Sequence, residues 1–204
     1  GAFHAPTPLI DGCEADYLDQ MSIDDIKTRF PKYEDYYCVY PNIIENGELL
    51  ISIEDNKYDF LIANHMIEHT ENVFKTIQNH LRVLKKGGIL YYAVPDKRFT
   101  FDKNRKLTTY EHLKAEYLYG SENYRYEHFL DFVTNVQNVK EEKEASKVAK
   151  KLSEEGLDTH FHVWTSETFI DHIKKAIDDK ILNIEILEHT HKNDIESITI
   201  LKKL

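Results

Sequence analysis

The clearest hydrophobic pattern lies in the middle of the chain. Residues 57–64 (KYDFLIAN) form a compact apolar run typical of a buried strand. Residues 72–84 follow with apolar positions at helical spacing, which are Val73, Ile77, Leu81 and Leu84. Gly87 and Gly88 predict a left-handed stop to this helix, and residues 89–94 (ILYYAV) predict the next strand. This strand–helix–strand order predicts a βαβ unit and therefore a parallel sheet.

Further elements are predicted on both sides of this βαβ unit. Before the βαβ unit, residues 13–19 and 37–44 favour short strands, and Ser22 begins a short helix that Pro31 ends. After the βαβ unit, residues 140–155 predict a charged helix whose apolar stripe is Ala145, Val148, Ala149 and Leu152. The simplest interpretation of its charged residues is a face exposed to solvent. The chain then closes with a helix over residues 166–177, N-capped at Ser166, and strands over residues 181–189 and 195–201.

Composition narrows the class of protein. The 204 residues are 41% hydrophobic, which is enough for a real core and excludes global disorder. The formal net charge of −10 argues against a general nucleic-acid binder, because such proteins carry a basic surface. No apolar run approaches the roughly 20 residues that span a bilayer. Two cysteines are too few for a disulfide framework, so a reduced, cytoplasmic protein is expected.

Polar residues follow the first strand of the βαβ unit. In open α/β sheets, ligands bind outside the carboxyl ends of the strands. This rule predicts that Asn64, His65, Glu68 and His69 lie at or beside a ligand crevice. For Glu68 and His69, capping of the following helix is the alternative.

The central forty residues resemble a known family. The segment 58–96 (YDFLIANHMIEHTENVFKTIQNHLRVLKKGGILYYAVPD) is similar to the fourth-to-fifth-strand core of class I S-adenosylmethionine-dependent methyltransferases. Lys86 replaces the proline that is usual in their "LKPGG" sequence. The continuation through residues 96–102 and 105–113 resembles a bacterial subgroup associated with glycan and capsule biosynthesis.

The resemblance implies an α/β, Rossmann-like fold with a doubly wound, mostly parallel sheet and a helical insertion. It implies one methyltransferase domain over residues 1–204, with a cofactor-binding core in 1–95, a helical acceptor cap in 96–160, and a closing helix and strands in 161–204. The family's first strand is then missing from the N-terminus, so the natural protein is expected to have upstream residues.

The resemblance also implies a set of residues that bind S-adenosylmethionine. Gly1, Ala2 and Phe3 correspond to the loop beneath the cofactor's methionine part. Asp19 corresponds to the acidic residue that accepts the ribose hydroxyls. The remaining positions are Glu45 and Asn46 beside adenine, and Asn64, His65 and His69 at the strand end.

Methyl transfer to a hydroxyl often needs a general base. The candidate bases are His128, His160 and His162, for each of which plain packing is the alternative. A His-x-His pair with a third His or Glu is also able to bind a divalent ion, but no metal ligand is assigned. Contact with the acceptor is expected from Asp96, Arg98 and Arg105, whose alternative is a solvated charged loop.

These residues lead to one expected function and two alternatives. The expected function is O-methylation of a small polar acceptor, such as a sugar, nucleotide-sugar or glycan precursor. A homodimer is a possible assembly. One alternative is a cofactor-binding partner subunit without chemistry of its own. The other is a nucleotide-sugar redox enzyme, but no GxGxxG sequence follows a strand here.

Overall fold

A computed structural model describes residues 6–29, 31, 39–192 and 195–204 of the chain. The chain divides into two compact units, Gly1–Glu54 and Asp55–Leu204. The described part of the first unit contains the strands β1 (Leu18–Asp19) and β2 (Ile43–Ile44), which pair in parallel, and the helix α1 (Ile23–Arg29). The strands are shorter than the sequence predicts, and residues 37–38 and Phe30 lie outside the described residues.

The second unit is built on a four-stranded sheet. Its strands are β3 (Tyr58–Asn64), β4 (Leu84–Pro95), β5 (Ile184–Lys192) and β6 (Glu196–Lys203), in the order β3-β4-β6-β5. β3 and β4 pair in parallel, whereas β6 is antiparallel to both β4 and β5. Three of the four strands therefore point the same way. The predicted α/β, Rossmann-like fold with a mostly parallel sheet is confirmed.

The predicted crossover helix is present as α2 (Val73–Val83), and the side chain of Asn72 caps its first turn. Its predicted glycine stop is wrong. The helix ends because Leu84 is already extended, with ψ of 143°. Gly87 and Gly88 instead lie inside β4, where the pairing register shifts opposite Tyr58 and Phe60. Gly88 is required there, because a Cβ would lie 2.8 Å from the carbonyl oxygen of Lys85.

Four further helices belong to the second unit. They are α3 (Tyr110–Tyr119), α4 (Arg125–Asn135), α5 (Glu142–Glu155) and α6 (Ser166–Asp178). α5 buries the predicted stripe at Ala145 and Ala149. The predicted cap of α6 is displaced by one residue, since Thr165 is the N-cap and forms a capping box with Thr168.

The hydrophobic core of the second unit has two parts. The larger part joins the sheet to α2, α3 and α6, with Phe74, Tyr92 and Trp164 fully buried. The smaller part joins α4 to α5 around Phe129. Among the described residues, no helix is both long enough and apolar enough to cross a bilayer.

Candidate active site

The carboxyl ends of β3 and β4 open onto a cluster of polar side chains. After Asn64 the chain turns at His65, which has a positive φ of 48° and donates its backbone N–H to the carbonyl of Ala93. The 3₁₀ turn Ile67–His69 follows. Glu68 and His69 therefore belong to this turn, whereas Asn72 caps α2. These polar residues stand at the edge of the sheet where ligands bind in α/β folds.

A buried carboxylate orients His160 at this edge. Asp102 follows β4 in a 3₁₀ turn (Phe101–Asn104), and its Oδ2 lies 2.6 Å from Nδ1 of His160. Its other oxygen accepts a hydrogen bond from Nη1 of Arg105 at 2.9 Å. Burial alone would raise the pKa of Asp102, but the bonds and charges of His160 and Arg105 lower it. Asp102 is therefore an ionised partner for the imidazole.

This arrangement leaves the second nitrogen of His160 for chemistry. A carboxylate at Nδ1 favours the tautomer that carries its proton there, so Nε2 keeps a lone pair. The His160 side chain is 12% exposed, and the ring of Phe101 lies 4.6 Å from it between centroids. The ring of His69 lies at the same distance, edge-on. An oriented, partly exposed imidazole of this kind is suited to general-base catalysis.

Glu68 carries a buried carboxylate in the same cluster. Its side chain is 1% exposed, and neither carboxylate oxygen has a hydrogen-bond partner among the residues that the structure describes. Nδ1 of His65 lies 3.6 Å from it, and Nε2 of His65 lies 2.8 Å from Glu196. The two carboxylates raise the pKa of His65 to about 9, so this ring is a cation at neutral pH. His65 therefore supplies positive charge beside a buried acid.

His69 completes the same turn. Burial favours its neutral form, but a 2.8 Å contact between its Nδ1 and Asp158, together with the charge of Glu68, raises its pKa above the ordinary value. Potential ligand atoms of Glu68, His69 and His160 lie within 4.8 Å of one another. These three residues are one set that is able to hold a metal.

A second set of histidines surrounds Glu116 on α3. Oε1 of Glu116 lies 2.8 Å from Nε2 of His128 and 3.1 Å from Nε2 of His112. Oε2 lies 2.8 Å from Nε2 of His162. Burial lowers the pKa of His128 to about 4, which keeps its ring neutral. Burial alone would raise the pKa of Glu116, but the three histidines lower it well below its ordinary value.

The residues expected to bind the acceptor are held by other protein groups. The buried carboxylate of Asp96 accepts two bonds from the Arg98 guanidinium and one from the backbone N–H of Ser166. Arg98 also contacts Glu167 at 3.0 Å. Arg105 is 1% exposed and bonds Asp102, Asp131 and the carbonyl of His160. Both guanidiniums therefore already have carboxylate partners.

The first unit holds the predicted ribose-binding carboxylate. Asp19 ends β1, and its backbone carbonyl accepts the N–H of Glu45, which follows β2. The Glu45 carboxylate bonds Ser52, and the Asn46 side chain bonds the N–H of Glu48. These two side chains therefore shape the loop after β2. A carboxylate at the end of a parallel strand fits two ribose hydroxyl donors. Gly1, Ala2 and Phe3 lie outside the described residues.

Some of these residues were not foreseen from the sequence. His112, Glu116 and Asp158 were not singled out as site residues, and Asp102 had no assigned role. The only local signal is the spacing of His112 and Glu116, which puts both side chains on one face of α3. The partners of Asp102 and Asp158 come from distant parts of the chain, so spacing does not reveal them.

Comparison with known proteins gives the family. A model described as "Methyltransferase domain" matches residues 17–176. A search of curated proteins finds no match. Among solved structures, a SAM-dependent methyltransferase from Methanosarcina mazei is 18% identical, with a TM-score of 0.46, over 92% of this chain and 80% of that one. PH0226 from Pyrococcus horikoshii is 15% identical, with a TM-score of 0.46, over 95% and 73%.

A third similar structure is the CurJ carbon methyltransferase, which is 13% identical with a TM-score of 0.48, over 99% of this chain and 46% of that one. The family model extends from the strands of the first unit to α6 of the second, and so includes both sets of histidines. The chain therefore belongs to the methyltransferase-domain family and is an S-adenosylmethionine-dependent methyltransferase.

Proposed function

We propose that this enzyme methylates a hydroxyl group of a neutral carbohydrate, with His160 as the general base. The observation that carries the proposal is the 2.6 Å contact between Asp102 and Nδ1 of His160 at the carboxyl end of the sheet. A hydroxyl is a weak nucleophile, and removal of its proton during attack is the task of a base. Of the three histidines expected to serve as bases, His160 is the one with this orientation.

His128 and His162 suit this task less well. Their Nε2 atoms face Glu116 at 2.8 Å, and the exposed fraction of the His162 side chain is 0%. A base must come within hydrogen-bond distance of the acceptor's proton. We therefore assign the proton transfer to His160 and leave the other two histidines out of the chemical step.

Several residues have separate roles in the proposed methyl transfer. Asp102 holds the His160 ring and stabilises the imidazolium that forms when Nε2 takes the hydroxyl proton. Arg105 is a positioning residue that holds Asp102. Asp19 would hold the ribose of S-adenosylmethionine, which when bound supplies a methyl group on a positively charged sulfur. An in-line displacement of this kind depends chiefly on the orientation of the acceptor.

The charges around His160 favour a neutral acceptor. Asp158 and Glu68 lie on the His69 side, and the guanidiniums of Arg98 and Arg105 are already paired with carboxylates. A phosphate would find acidic neighbours and no unpaired arginine among these groups. The exposed rings of Phe99 and Phe101 offer apolar faces for a sugar ring. Of the carbohydrate acceptors considered, a free sugar or glycan therefore fits better than a nucleotide-sugar.

Other parts of the proposal come from the sequence alone. They are the cofactor-binding core in residues 1–95, the acceptor cap in residues 96–160, the cytoplasmic location and the subgroup linked to glycan biosynthesis. A homodimer also stays a prediction. None of these is needed for the assignment of His160.

An acceptor screen tests the proposed function. The enzyme is incubated with S-adenosylmethionine carrying an isotopically labelled methyl group and with panels of neutral glycans, nucleotide-sugars and acidic carbon nucleophiles. We expect label in the neutral glycans, with the methyl carbon bonded to oxygen by NMR. Label on carbon or nitrogen would contradict O-methylation. Binding of S-adenosylhomocysteine without transfer to any panel would instead favour a non-catalytic partner subunit.

A further inference from the structure

We propose that His112, Glu116, His128 and His162 together bind one divalent transition-metal ion, for which Zn²⁺ is the best match. We call these four residues the histidine–glutamate centre. Each contributes a potential ligand atom, and these atoms all lie within 4.8 Å of one another. Imidazole nitrogens with one carboxylate oxygen are a ligand set that zinc and neighbouring first-row metals prefer.

The distances within the centre are those of atoms converging on one point. Nε2 of His112 lies 3.2 Å from Nε2 of His128, and each lies within 3.1 Å of the same Glu116 oxygen. Zinc bonds of about 2.0–2.1 Å to nitrogen place tetrahedral ligand atoms roughly 3.3 Å apart. An ion between His112 and His128 therefore needs only a small outward movement of these two rings. All three histidines present the same ring nitrogen.

Three separate elements supply the ligands. His112 and Glu116 lie one turn apart on α3, His128 is on α4, and His162 is in the irregular segment before α6. Buried polar residues need partners. A single ion would join the two helices to the segment before α6, as structural zinc sites do.

Because the Glu116 carboxylate is buried, a bound cation would stabilise this centre. The side chains of Glu116 and His162 are 0% exposed, and that of His128 is 9% exposed. A carboxylate removed from water is costly unless positive charge or several hydrogen bonds compensate it. Among the described residues, the ion-pair partners of Glu116 are three histidines, none of which carries a permanent charge. His112, at 25% exposed, is the ligand nearest to solvent and gives an entry path.

One short segment of the chain carries residues of both the centre and the candidate active site. The backbone N–H groups of Phe161 and His162 donate to the carbonyl of Glu68 at 2.8 and 3.2 Å. His160 is two residues before His162. An ion on His162 would therefore hold the segment that carries His160. Its role is structural, and it does not depend on the proposed acceptor.

Metal content of the purified protein tests the centre. We expect one equivalent of metal by elemental analysis and, after chelation, a Co²⁺-dependent visible band of tetrahedral form that Zn²⁺ abolishes. His112→Ala and Glu116→Gln should lose both signals. The matched control is His172→Ala, which removes another buried histidine from outside the centre. These readouts need no methyl donor or acceptor, so they are independent of the proposed function.

Two results would overturn the metal site. One is a folded wild-type protein, checked by circular dichroism, that contains no metal and develops no Co²⁺ band on titration. The other is retention of one equivalent of metal by both folded variants. Because His112 is partly exposed, its replacement disturbs the core least among the three histidines. If it nevertheless fails to fold, the wild-type Co²⁺ titration and Glu116→Gln decide the question.

Discussion

Oδ2 of Asp102 lies 2.6 Å from Nδ1 of His160, although 58 positions separate the two residues in the chain. The contact joins the turn after β4 to the irregular segment that precedes α6. It combines a buried acid, whose charge is maintained by Arg105, with a partly exposed ring. The proposed chemistry depends on this one relationship.

Asp102→Asn should slow catalysis without weakening cofactor binding. The neutral amide cannot balance the positive charge of an imidazolium at His160. We therefore expect kcat to fall by about 10²-fold or more, while KM for S-adenosylmethionine changes little. The matched control is Asp59→Asn, which removes an exposed carboxylate paired with Lys85. Steady-state methyl transfer on both variants checks the prediction. An equal loss in both, or a change confined to KM, would remove Asp102 from the chemical step.

Arg105→Met should destabilise the second unit strongly. It removes the guanidinium from Asp102, which is 3% exposed and keeps only the contact with His160 as an ion-pair partner among the described residues. Breaking a buried pair costs about 3–5 kcal/mol. Arg82→Met is the control, because its partner Asp55 is 64% exposed and such pairs contribute about 0–1 kcal/mol. The free energies of unfolding in urea measure both. Similar losses in the two variants would show that Asp102 is not desolvated.

Asp19→Ala should weaken binding of S-adenosylhomocysteine. A carboxylate that accepts hydrogen bonds from a ligand contributes about 1.5–3 kcal/mol, so we expect Kd to rise by roughly 10- to 100-fold. Asp11→Ala, in an exposed turn of the same unit, should leave Kd unchanged. Isothermal titration calorimetry measures both. An unchanged Kd for Asp19→Ala would exclude the ribose assignment.

His65 should give part of the stability a dependence on pH. Its pKa in the folded protein is raised to about 9 from the ordinary 6.5, so its stabilising contribution is complete below 6.5 and is lost as the pH rises through 9. The side chain is 48% exposed, so screening limits the contribution to under about 1 kcal/mol. The stability difference between wild type and His65→Gln should shrink over this range. A difference that stays constant would mean that His65 does not titrate against Glu68.

Periodic burial explains why the sheet and its crossover helix were predictable. Val73, Ile77 and Leu81 lie on the buried face of α2, and the helix pattern follows directly from this spacing. The glycine pair at 87–88 was predicted to end this helix, but it lies inside β4, where its place depends on pairing with β3. That pairing is tertiary, so the sequence pattern assigned the break to the wrong element.

The sequence predicted part of the candidate site, through residues that follow a strand and through His160 as a candidate base. His65, Glu68 and His69 were located from the rule that ligands bind at the carboxyl ends of strands. Glu116 was not, because its partners His128 and His162 come from α4 and from a segment 46 positions away. Arg105 was expected at the acceptor, yet it is 1% exposed. Burial of this kind depends on how the helices pack, which local patterns do not encode.

The most direct test of the account is the rate of methyl transfer by His160→Asn. With the neutral glycan that the screen identifies, we predict a fall in kcat of about 10²–10⁴-fold and unchanged binding of S-adenosylhomocysteine. His172→Asn should retain the wild-type rate. A His160→Asn enzyme that methylates the glycan at the wild-type rate would contradict the account.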